Sequence, residues 1–462
     1  MNAIAEDLAT ALGAAKVATD AEALQARRHD YWALSHIRDL AGAGAPRPAC
    51  IVRPAGAADV AEVLRIARER GVPVIPFGLG SGVVGGIVAS PEAVVLDLGS
   101  VAAVRWIDED NLLACFEAGI RGADAEDAVA ARGLTIGHWP QSVALSSVGG
   151  WAATRASGQF STGYGNIEDI VQAIEAVLPS GEVVTLGKGA RASAGPDLRA
   201  LFLGSEGTLG VITAVTLSLR RAPEARSLAA FAAADMDAGF AFQRRLIQAG
   251  WRPPVVRQYD ARESRRHGGD SGASLLLLVH EGPAALVQAQ APAVAELAAD
   301  SGLEARDGAL VETWLAHRND VPPWEAILSR HIVADTVEVS AGWTDIGKIY
   351  RDAVASLSEA PGCLVASAHS SHAYRSGLNL YFTFAFQTEG PAAMERVYLD
   401  AWRRIMEATI AHGGGVSHHH GIGRVRRPWL EAELGAGGLA LLRRIKAALD
   451  PDGIMNPGVL LP

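Results

Sequence analysis

A glycine-rich segment between two predicted strands constrains the fold of this chain more than any other feature. The segment GLGSGVVGG spans Gly78–Gly86 and lies between the strand-like runs VPVIPFG and AVVLDLG. A dinucleotide-binding βαβ unit needs a helix directly after its glycine loop, because the helix N-terminus holds the pyrophosphate. Here a second strand follows the loop instead. Successive backbone N–H groups in such a turn can still bind phosphate, so the sequence predicts a phosphate-binding turn outside the nicotinamide-binding fold.

Strand and helix signals alternate along most of the chain, which predicts an α+β protein with more than one unit. The 462 residues are too many for a single simple core. A change of pattern at RRAPEAR indicates a boundary near residue 222. The predicted parts are a helical N-terminal segment, a first α+β unit, a second unit of helices and strands, and a helical, turn-rich end, at residues 1–44, 45–222, 223–411 and 412–462.

Composition excludes several classes of protein. The formal net charge of −10 is unsuited to a nucleic-acid partner, which requires a broad basic surface. No apolar run reaches the roughly 18 residues of a membrane span, and the N-terminus has no basic segment typical of a secretory signal. The three cysteines, Cys50, Cys115 and Cys363, are far apart and odd in number, which argues against disulfides and cysteine zinc sites. These features predict a cytoplasmic globular protein with no transmembrane segment.

Four segments combine small residues, hydroxyls and histidines in a way that suits a ligand site. They are Pro76–Gly82, Gln141–Val171, Gly195–Thr213 and Ser417–Gly423. Small residues allow the backbone to approach a ligand closely, and hydroxyls donate neutral hydrogen bonds. Such segments are typical of a site for a large cofactor with a pyrophosphate and a hydrogen-bonding ring.

In this order the segments resemble the FAD-linked oxidases of the vanillyl-alcohol oxidase and p-cresol methylhydroxylase superfamily. Within it, VGGWAATRASGQFSTGYGNIEDIV, GPDLRALFLGSEGTLGVIT, LNLYFTFAF and SHHHGIG are most similar to the alkyldihydroxyacetonephosphate synthase family. The resemblance implies a p-cresol methylhydroxylase-type FAD-binding domain of two subdomains at 45–222. It also implies a cap domain with an antiparallel sheet flanked by helices at 223–411, a C-terminal segment that returns to the FAD domain at 412–462, and a possible homodimer.

The resemblance also implies which residues contact FAD. One group would hold the pyrophosphate, a second would line the cofactor, and a third would contact it through backbone groups. The first group is Pro76, Phe77, Gly78, Leu79, Gly80, Ser81 and Gly82; the second is Gln141, Ser142, Ser146, Ser147, Gly149, Gly150, Thr154, Arg155, Ala156 and Ser157; the third is Glu206, Gly207, Thr208, Gly210, Val211 and Ile212. Because the first glycine loop offers no histidine or cysteine, non-covalent FAD is expected, with Cys115 and His138 as alternative attachment points.

The catalytic residues implied by the resemblance are Tyr381, Arg257 and the three histidines His418, His419 and His420. The reaction implied is exchange of the acyl group of acyl-dihydroxyacetone phosphate for a fatty alcohol through a flavin N5 adduct, with a small-molecule or lipid-like substrate. A phenol such as Tyr381 can transfer a proton if nearby cations lower its pKa. Either Arg318 or Arg330 would bind the substrate phosphate. The alternative is an FAD-dependent oxidoreductase of a D-2-hydroxy acid or an alcohol, because a scaffold does not fix chemistry.

Histidine clusters also suggest metal. The neighbouring hydroxy-acid dehydrogenase branch has signatures resembling GHxGDGNLH and EHG, whose histidines and glutamate bind a divalent ion. In this chain Tyr381 and His419 replace two of those three ligands, although His369 and His372 lie upstream. In an extended segment His418 and His420 would share a face and His419 would point away. The sequence therefore predicts no metal, and it predicts that RVRR, at 424–427, is a solvated or flavin-phosphate-adjacent basic turn.

Overall fold

The computed structural model describes residues 2–270 and 272–461, and it confirms the α+β class predicted from the sequence. The helices of the described residues are α1 Ala3–Leu12, α2 Ala21–Ala26, α3 Ala33–Leu40, α4 Ala57–Arg70, α5 Gly122–Ala130, α6 Val148–Thr154, α7 Ser161–Tyr164, α8 Ile167–Ile170, α9 Met236–Gln248, α10 Ala261–Arg266, α11 Ala284–Asp300, α12 Ala309–His317, α13 Trp324–Leu328, α14 Ile346–Ser358, α15 Pro391–Ala411 and α16 Leu430–Leu449.

The strands are β1 Val17–Ala18, β2 Cys50–Val52, β3 Val74–Phe77, β4 Val94–Asp97, β5 Val104–Asp108, β6 Leu113–Glu117, β7 Leu134–Thr135, β8 Val171–Val177, β9 Val183–Leu186, β10 Val211–Ser218, β11 Arg220–Arg221, β12 Ala225–Ala233, β13 Val255–Tyr259, β14 Ser274–Gly282, β15 Glu304–Arg306, β16 Ile332–Gly342, β17 Cys363–Ser370 and β18 Gly377–Gln387. They form three main sheets and one small two-stranded sheet of β11 and β7.

The first sheet has the order β1-β2-β4-β3, with β2, β4 and β3 parallel. Its buried apolar residues pack against α1 and α4. The chain leaves β3 at Phe77 and reaches β4 without an intervening helix, as the glycine segment predicts. The Phe77 ring is buried among the apolar residues of this sheet. The glycine segment that follows Phe77 therefore begins at a fixed position at the end of β3.

The second sheet is antiparallel, with the order β5-β6-β10-β8-β9. Helix α6 packs against it so closely that a Cβ at Gly149 would lie 2.5 Å from the Cβ of Ala118. Ser147 caps the N-terminus of α6 by accepting a hydrogen bond from the Gly150 N–H. The helix ends at Arg155, whose φ of +52° turns the chain out of the helix. The small residues of this segment thus allow close helix-to-sheet packing.

The third sheet has seven antiparallel strands in the order β15-β12-β14-β13-β17-β18-β16. Helices α14 and α15 cover β16, β17 and β18, and helices α9 and α11 cover β12, β13 and β14. Strand β18 is interior, between β17 and β16. Its register places Tyr381 opposite His369 on one side and Glu338 on the other.

The C-terminal residues lie against the first sheet. The Val74 N–H donates to the Ile454 carbonyl at 2.8 Å, and the Asn456 N–H donates to the Val74 carbonyl at 2.9 Å. The segment Ser417–Gly423, named here the histidine loop, contacts Glu338 of β16 through its first half and Glu206 through its second half. No helix within residues 2–270 or 272–461 is both long and apolar enough to span a bilayer.

Candidate active site

Tyr381 lies at the centre of a cluster of aromatic and imidazole rings. Its ring stacks on His369, with centroids 4.9 Å apart and planes 17° apart, because the two residues pair across β18 and β17. Its hydroxyl lies 3.3 Å from His420 Nε2. The sheet register and the histidine loop thus bring together two of the residues that the sequence assigned to catalysis.

The histidine loop is bent around one carboxylate oxygen. The backbone N–H groups of His418, His419 and His420 donate to Glu338 Oε1 over 3.3, 3.1 and 2.8 Å. Three consecutive amides can converge on one atom only if the backbone turns, so the loop is not extended. The rings of His419 and His420 both contact Tyr381, at centroid distances of 5.8 and 5.5 Å. The prediction that His419 points away was therefore wrong.

Glu338 is also the partner of a buried arginine. Glu338 and Arg426 form an ion pair, and both side chains have no exposed surface. His420 Nδ1 lies 3.1 Å from Glu338 Oε2. Burial works to raise the pKa of Glu338, but the Arg426 guanidinium and the His420 ring outweigh it and hold that pKa well below its usual range. Arg426 is therefore a buried structural cation, and the prediction of a solvated or flavin-phosphate-adjacent basic turn was wrong for this residue.

A second buried carboxylate binds the other half of the histidine loop. Glu206 accepts the Ile422 N–H at 2.7 Å and the Gly423 N–H at 2.8 Å. Burial raises the pKa of Glu206 to about 7, against the lowering effect of these two hydrogen bonds. The sequence assigned Glu206 to cofactor contact through its backbone. In the structure its side chain fixes the loop, and its own N–H donates to Ala153 at 2.9 Å.

The first two histidines of the loop are joined in a hydrogen-bonded chain. His418 Nε2 lies 2.6 Å from the Tyr374 hydroxyl, and His418 Nδ1 lies 2.7 Å from His419 Nδ1. The pKa values of His418 and His419 lie well below the usual value, chiefly because both rings are buried and secondly because imidazoles adjoin each other. Both rings are therefore neutral near pH 7. Tyr374, in the turn between β17 and β18, was not among the predicted site residues.

The acidity of Tyr381 differs from the sequence-based expectation. Its pKa is raised above the ordinary value, chiefly by burial and then by the Glu338 and Asp335 carboxylates, although Arg257 acts in the opposite direction. The cations near this phenol do not lower its pKa overall. Tyr381 therefore stays protonated near neutral pH and is a hydrogen-bond donor in the protein without substrate.

Arg257 is positioned by a buried chain of groups. Its guanidinium donates to the Tyr259 hydroxyl at 2.6 Å and lies 2.8 Å from His369 Nε2. Because guanidinium only donates, His369 Nε2 is the acceptor, and the proton of this ring lies on Nδ1. Nδ1 lies 2.8 Å from Glu263 Oε2, which accepts the hydrogen bond from Nδ1–H. Glu263 thus sets the tautomer of His369, and His369 orients Arg257.

The upstream histidines have no ring nitrogen left for a metal ion. Both nitrogens of His369 are used by Arg257 and Glu263. His372 Nε2 donates to the Gly158 carbonyl at 2.8 Å, so its Nδ1 accepts from the Ser371 hydroxyl at 2.9 Å. In the described part of the chain, no three His, Cys, Asp or Glu side chains are arranged to bind a metal.

The two candidate phosphate-binding arginines lie in different places. The Arg318 guanidinium is partly buried, 5.8 Å from the centre of the Phe160 ring, with its Nε unpartnered. Phe160 belongs to the apolar cluster that also contains Trp314, over which Arg257 lies. Arg330 is exposed and lies two residues before β16, whose first residue, Ile332, is about 20 Å along the strand from Glu338 at ~3.3 Å per residue. The placement favours Arg318.

The glycine segment and the Gln141–Ser147 segment adjoin each other. A Cβ at Gly78 would lie 2.5 Å from Ser147 Oγ. Leu79 and Leu145, in these two segments, are 38% and 52% exposed. Exposed apolar side chains beside backbone with no Cβ suit a large ligand that has both a phosphate and an apolar ring. The residues present thus fit FAD.

Many of the other predicted cofactor residues use their side chains within the protein. Ser146 accepts from Trp151 Nε1 at 2.8 Å, Ser157 donates to Asn166 at 2.8 Å, and Gln141 donates to the Asp320 carbonyl at 2.8 Å. The remaining predicted positions have these surroundings: Phe77, Gly149, Ala156, Thr208, Gly210, Val211 and Ile212 are buried; Pro76, Gly80, Ser81, Gly82, Ser142, Gly150, Thr154 and Gly207 are half-buried; Arg155 pairs with Glu168.

Sequence reasoning missed Glu338, Arg426, Tyr374 and Glu263. Glu338 carries a recognisable signal, because it is the one carboxylate within the apolar run VEV of a predicted strand. The ion pair with Arg426 joins residues 88 positions apart, and no local pattern encodes it. Tyr374 lies next to the histidines of AHSSHAY, where a further hydrogen-bonding ring is a clue to a polar cluster.

Comparisons with known proteins agree with this geometry. Residues 222–460 match the family of FAD linked oxidases, C-terminal domain, and residues 48–187 match an FAD binding domain. The chain is 34% identical over its whole length to 98% of the uncharacterized FAD-linked oxidoreductase YgcU of Escherichia coli O157:H7. It is 30% identical, over 90% of its length, to 73% of the alkyldihydroxyacetonephosphate synthase of Trypanosoma brucei brucei.

A solved alkyldihydroxyacetonephosphate synthase structure has the same fold, with a TM-score of 0.80 and 24% identity, over 98% of this chain and 84% of that one. The match to the oxidase family covers more than half of the chain and includes Tyr381 and the histidine loop. The chain therefore belongs to the FAD-linked oxidases, and it is an FAD-dependent enzyme.

Proposed function

We propose that this enzyme exchanges the acyl group of an acyl-dihydroxyacetone phosphate for a fatty alcohol, as an alkyldihydroxyacetonephosphate synthase does. The observation that carries the proposal is that Tyr381, His419 and His420 of the histidine loop, and Arg257 through His369, belong to one cluster of contacting side chains. Hydroxyl, guanidinium and neutral imidazole groups suit a phosphorylated ketone ester, since they bind oxygen atoms and transfer protons without a metal ion.

Each group has a separate part in the proposed reaction. FAD, when bound, supplies the ring that reacts with the carbonyl carbon of the substrate. Tyr381, protonated near neutral pH, donates a hydrogen bond to a substrate oxygen. A neutral histidine accepts the proton of the incoming alcohol and returns a proton to the departing carboxylate. Arg257 and Arg318 provide positive charge, and the unpartnered Nε of Arg318 suits a phosphate oxygen.

We also propose that FAD is held without a covalent bond. The two alternative attachment points, Cys115 and His138, are 7% and 1% exposed. Cys115 lies within β6, where burial raises its pKa, and burial lowers the pKa of His138 to about 3. The burial of both side chains supports non-covalent binding. Denaturation with acid or urea should release all of the flavin into the supernatant, and flavin retained by the precipitated protein would contradict this proposal.

The second candidate is an FAD-dependent oxidoreductase of a D-2-hydroxy acid or alcohol. It is favoured by the similarity to an FAD-linked oxidoreductase over the whole chain. The neutral His419 ring could accept the hydroxyl proton of such a substrate while FAD takes up its electrons. Arg257 would then bind the carboxylate.

Anaerobic mixing separates these two functions. The purified protein with bound FAD would be mixed with acyl-dihydroxyacetone phosphate and a fatty alcohol, while visible absorbance and released fatty acid are followed. We expect fatty acid release with the flavin oxidised at the end of the reaction. Bleaching of the flavin by a D-2-hydroxy acid or an alcohol, without ether formation, would overturn the synthase proposal and establish the oxidoreductase.

A matched pair of tyrosine variants tests the role of Tyr381. Tyr381→Phe should reduce the synthase rate by about 10²-fold or more, since it removes a group that acts on the reacting atoms. Tyr31→Phe removes a hydroxyl that donates to the Pro322 carbonyl at 3.1 Å, away from the site. This control should retain the wild-type rate. A Tyr381→Phe enzyme with full activity would exclude this tyrosine from the reaction.

A further inference from the structure

The chain of hydrogen bonds that starts at Tyr374 has two equivalent arrangements of its protons. The Tyr374 hydroxyl lies 2.6 Å from His418 Nε2, and His418 Nδ1 lies 2.7 Å from His419 Nδ1. Only one proton fits between two imidazole nitrogens at this distance. Each hydrogen bond therefore fixes the direction of the next one, and the three residues act as a unit.

Asn166 supports both arrangements from the far end. Its Nδ2 lies 3.2 Å from the Tyr374 hydroxyl and donates to it, and its Oδ1 lies 3.4 Å from the same hydroxyl and can accept from it. In the first arrangement, Tyr374 donates to His418 Nε2, His418 Nδ1–H donates to His419 Nδ1, and the His419 proton lies on Nε2. In the second, His419 Nδ1–H donates to His418, His418 Nε2–H donates to Tyr374, and Tyr374 donates to Asn166.

The other end of the chain is open. His419 Nε2 has no hydrogen-bond partner among the described residues, and it is not one of their buried unpartnered atoms. The His419 ring lies against Tyr381, with centroids 5.8 Å apart. Tyr374, at the opposite end, is half-buried. The chain thus leads from a partly exposed residue to the ring of Tyr381.

We propose that Tyr374, His418 and His419 form a proton relay between solvent and the substrate. A substrate proton binds His419 Nε2, the Nδ1 proton of His419 moves to His418, the Nε2 proton of His418 moves to Tyr374, and the original Tyr374 proton leaves to water. One proton enters and one leaves, and every ring is neutral before and after. The reverse sequence delivers a proton to the substrate. Tyr374 acts through the histidines and is a positioning residue.

The relay rests on the proposed function only for its kinetic effect, because the proton positions can be measured without a reaction. Protein with bound FAD and ¹⁵N-labelled histidine would be compared with Tyr374→Phe by NMR. We expect the tautomer populations of both His418 and His419 to change, although Tyr374 touches only His418. His412, which pairs with Asp352 at 2.6 Å, is the internal control. Unchanged His419 signals would overturn the relay.

Kinetics supply an independent test with whichever substrate proves active. Tyr374→Phe should lower turnover on the order of 10²-fold with little change in KM, since general acid–base groups contribute about 10²–10⁴. In mixtures of H₂O and D₂O, the wild-type rate should curve with deuterium content, because several protons move together. The variant should respond linearly. A wild-type rate and curvature in Tyr374→Phe would refute the relay.

A second variant and the NMR comparison cover two cases: the Phe variant does not fold, or no proposed substrate is turned over. If Tyr374→Phe does not fold, Tyr374→3,5-difluorotyrosine keeps the ring packing and makes the hydroxyl a stronger donor to His418. The His419 proton should then shift towards Nε2, and an unchanged His419 signal would overturn the relay. If the wild-type enzyme turns over none of the proposed substrates, the proposed function fails, and the NMR comparison still decides the relay.

Discussion

The Glu338 carboxylate accepts hydrogen bonds from the histidine loop and forms an ion pair with Arg426. Replacement of Glu338 by glutamine should keep the first interaction and remove the second. The amide oxygen of Glu338→Gln can still accept hydrogen bonds from the histidine loop. Its NH₂ group, however, would face the Arg426 guanidinium, and two hydrogen-bond donors cannot bond to each other. Removing one partner of a buried ion pair costs about 3–5 kcal/mol. Arg426 keeps its hydrogen bonds to the Gly421 and Glu338 carbonyls, at 2.9 and 3.1 Å, so we expect a loss near the lower limit, about 3 kcal/mol.

This loss should appear as a lower unfolding temperature. At about 2–4 °C per kcal/mol for a unit of roughly 150–250 residues, the unfolding transition should fall by roughly 6–12 °C. Calorimetry or far-UV circular dichroism of the protein with bound FAD would measure it. Glu433→Gln is the matched control, since Glu433 is exposed and, among the described residues, accepts only the Val416 N–H, at 2.8 Å. It should change stability by about 0.5 kcal/mol or less.

A double variant distinguishes charge from loop geometry. Glu338→Met with Arg426→Met replaces a buried ion pair by apolar side chains, a change that is often neutral or stabilising. We expect it to unfold below the wild-type temperature and to be inactive, because no buried charge is left unpaired but three loop amides lose their common acceptor. If Glu338→Gln unfolds at the wild-type temperature, the ion pair contributes no net stability and our account of Arg426 is refuted.

Three further predictions follow from individual contacts. Arg257→Lys cannot reach both of its partners, so turnover should fall about tenfold or more while flavin absorbance of the purified protein stays at the wild-type level. Gly423→Ala should prevent stable folding, since φ at this residue is +54° and the added Cβ would lie 2.2 Å from the Val84 carbonyl oxygen. Gly437→Ala is the control in expression and melting assays. It should fold normally, because its added Cβ would have no atom within 4 Å. The pKa of Glu206 is raised from 4.5 to about 7, so between these pH values the folded protein keeps a proton that the unfolded chain releases. The free energy of unfolding should therefore decline from pH 4.5 to 7. Glu206→Gln should flatten that decline in urea titrations.

The sequence predicted the parts of this site that depend on local patterns. The glycine segment after β3 and the strand character of LNLYFTFAF both follow from short-range rules. Tyr381 and the three histidines were assigned by resemblance, and the structure places them in contact. Such motifs identify which residues meet, because their chemistry is recognisable in a few adjacent letters.

The orientation of the same residues could not be predicted, because distant partners set it. His419 faces Tyr381 since the loop bends around Glu338, which lies 81 positions earlier in the chain. Arg426 is buried because Glu338 is buried, whereas RVRR read alone is typical of a solvated turn. The pKa of Tyr381 is raised by burial that no neighbouring letter reveals. Local sequence thus identifies the chemical groups, and long-range pairing determines their direction and their charge.

The way in which the loop is fixed has a consequence for its chemistry. Glu338, in β16, accepts the amides of residues 418–420, and Glu206, which precedes β10, accepts those of 422 and 423. Both carboxylates bind backbone N–H groups, which every residue type except proline provides at these positions. The path of the loop therefore depends little on which side chains other than proline stand at 418–420, provided that glycine remains at 421 and 423, where φ is positive. Those side chains are free to determine the reaction, and a scaffold held in this way can support different reactions on one FAD-binding fold.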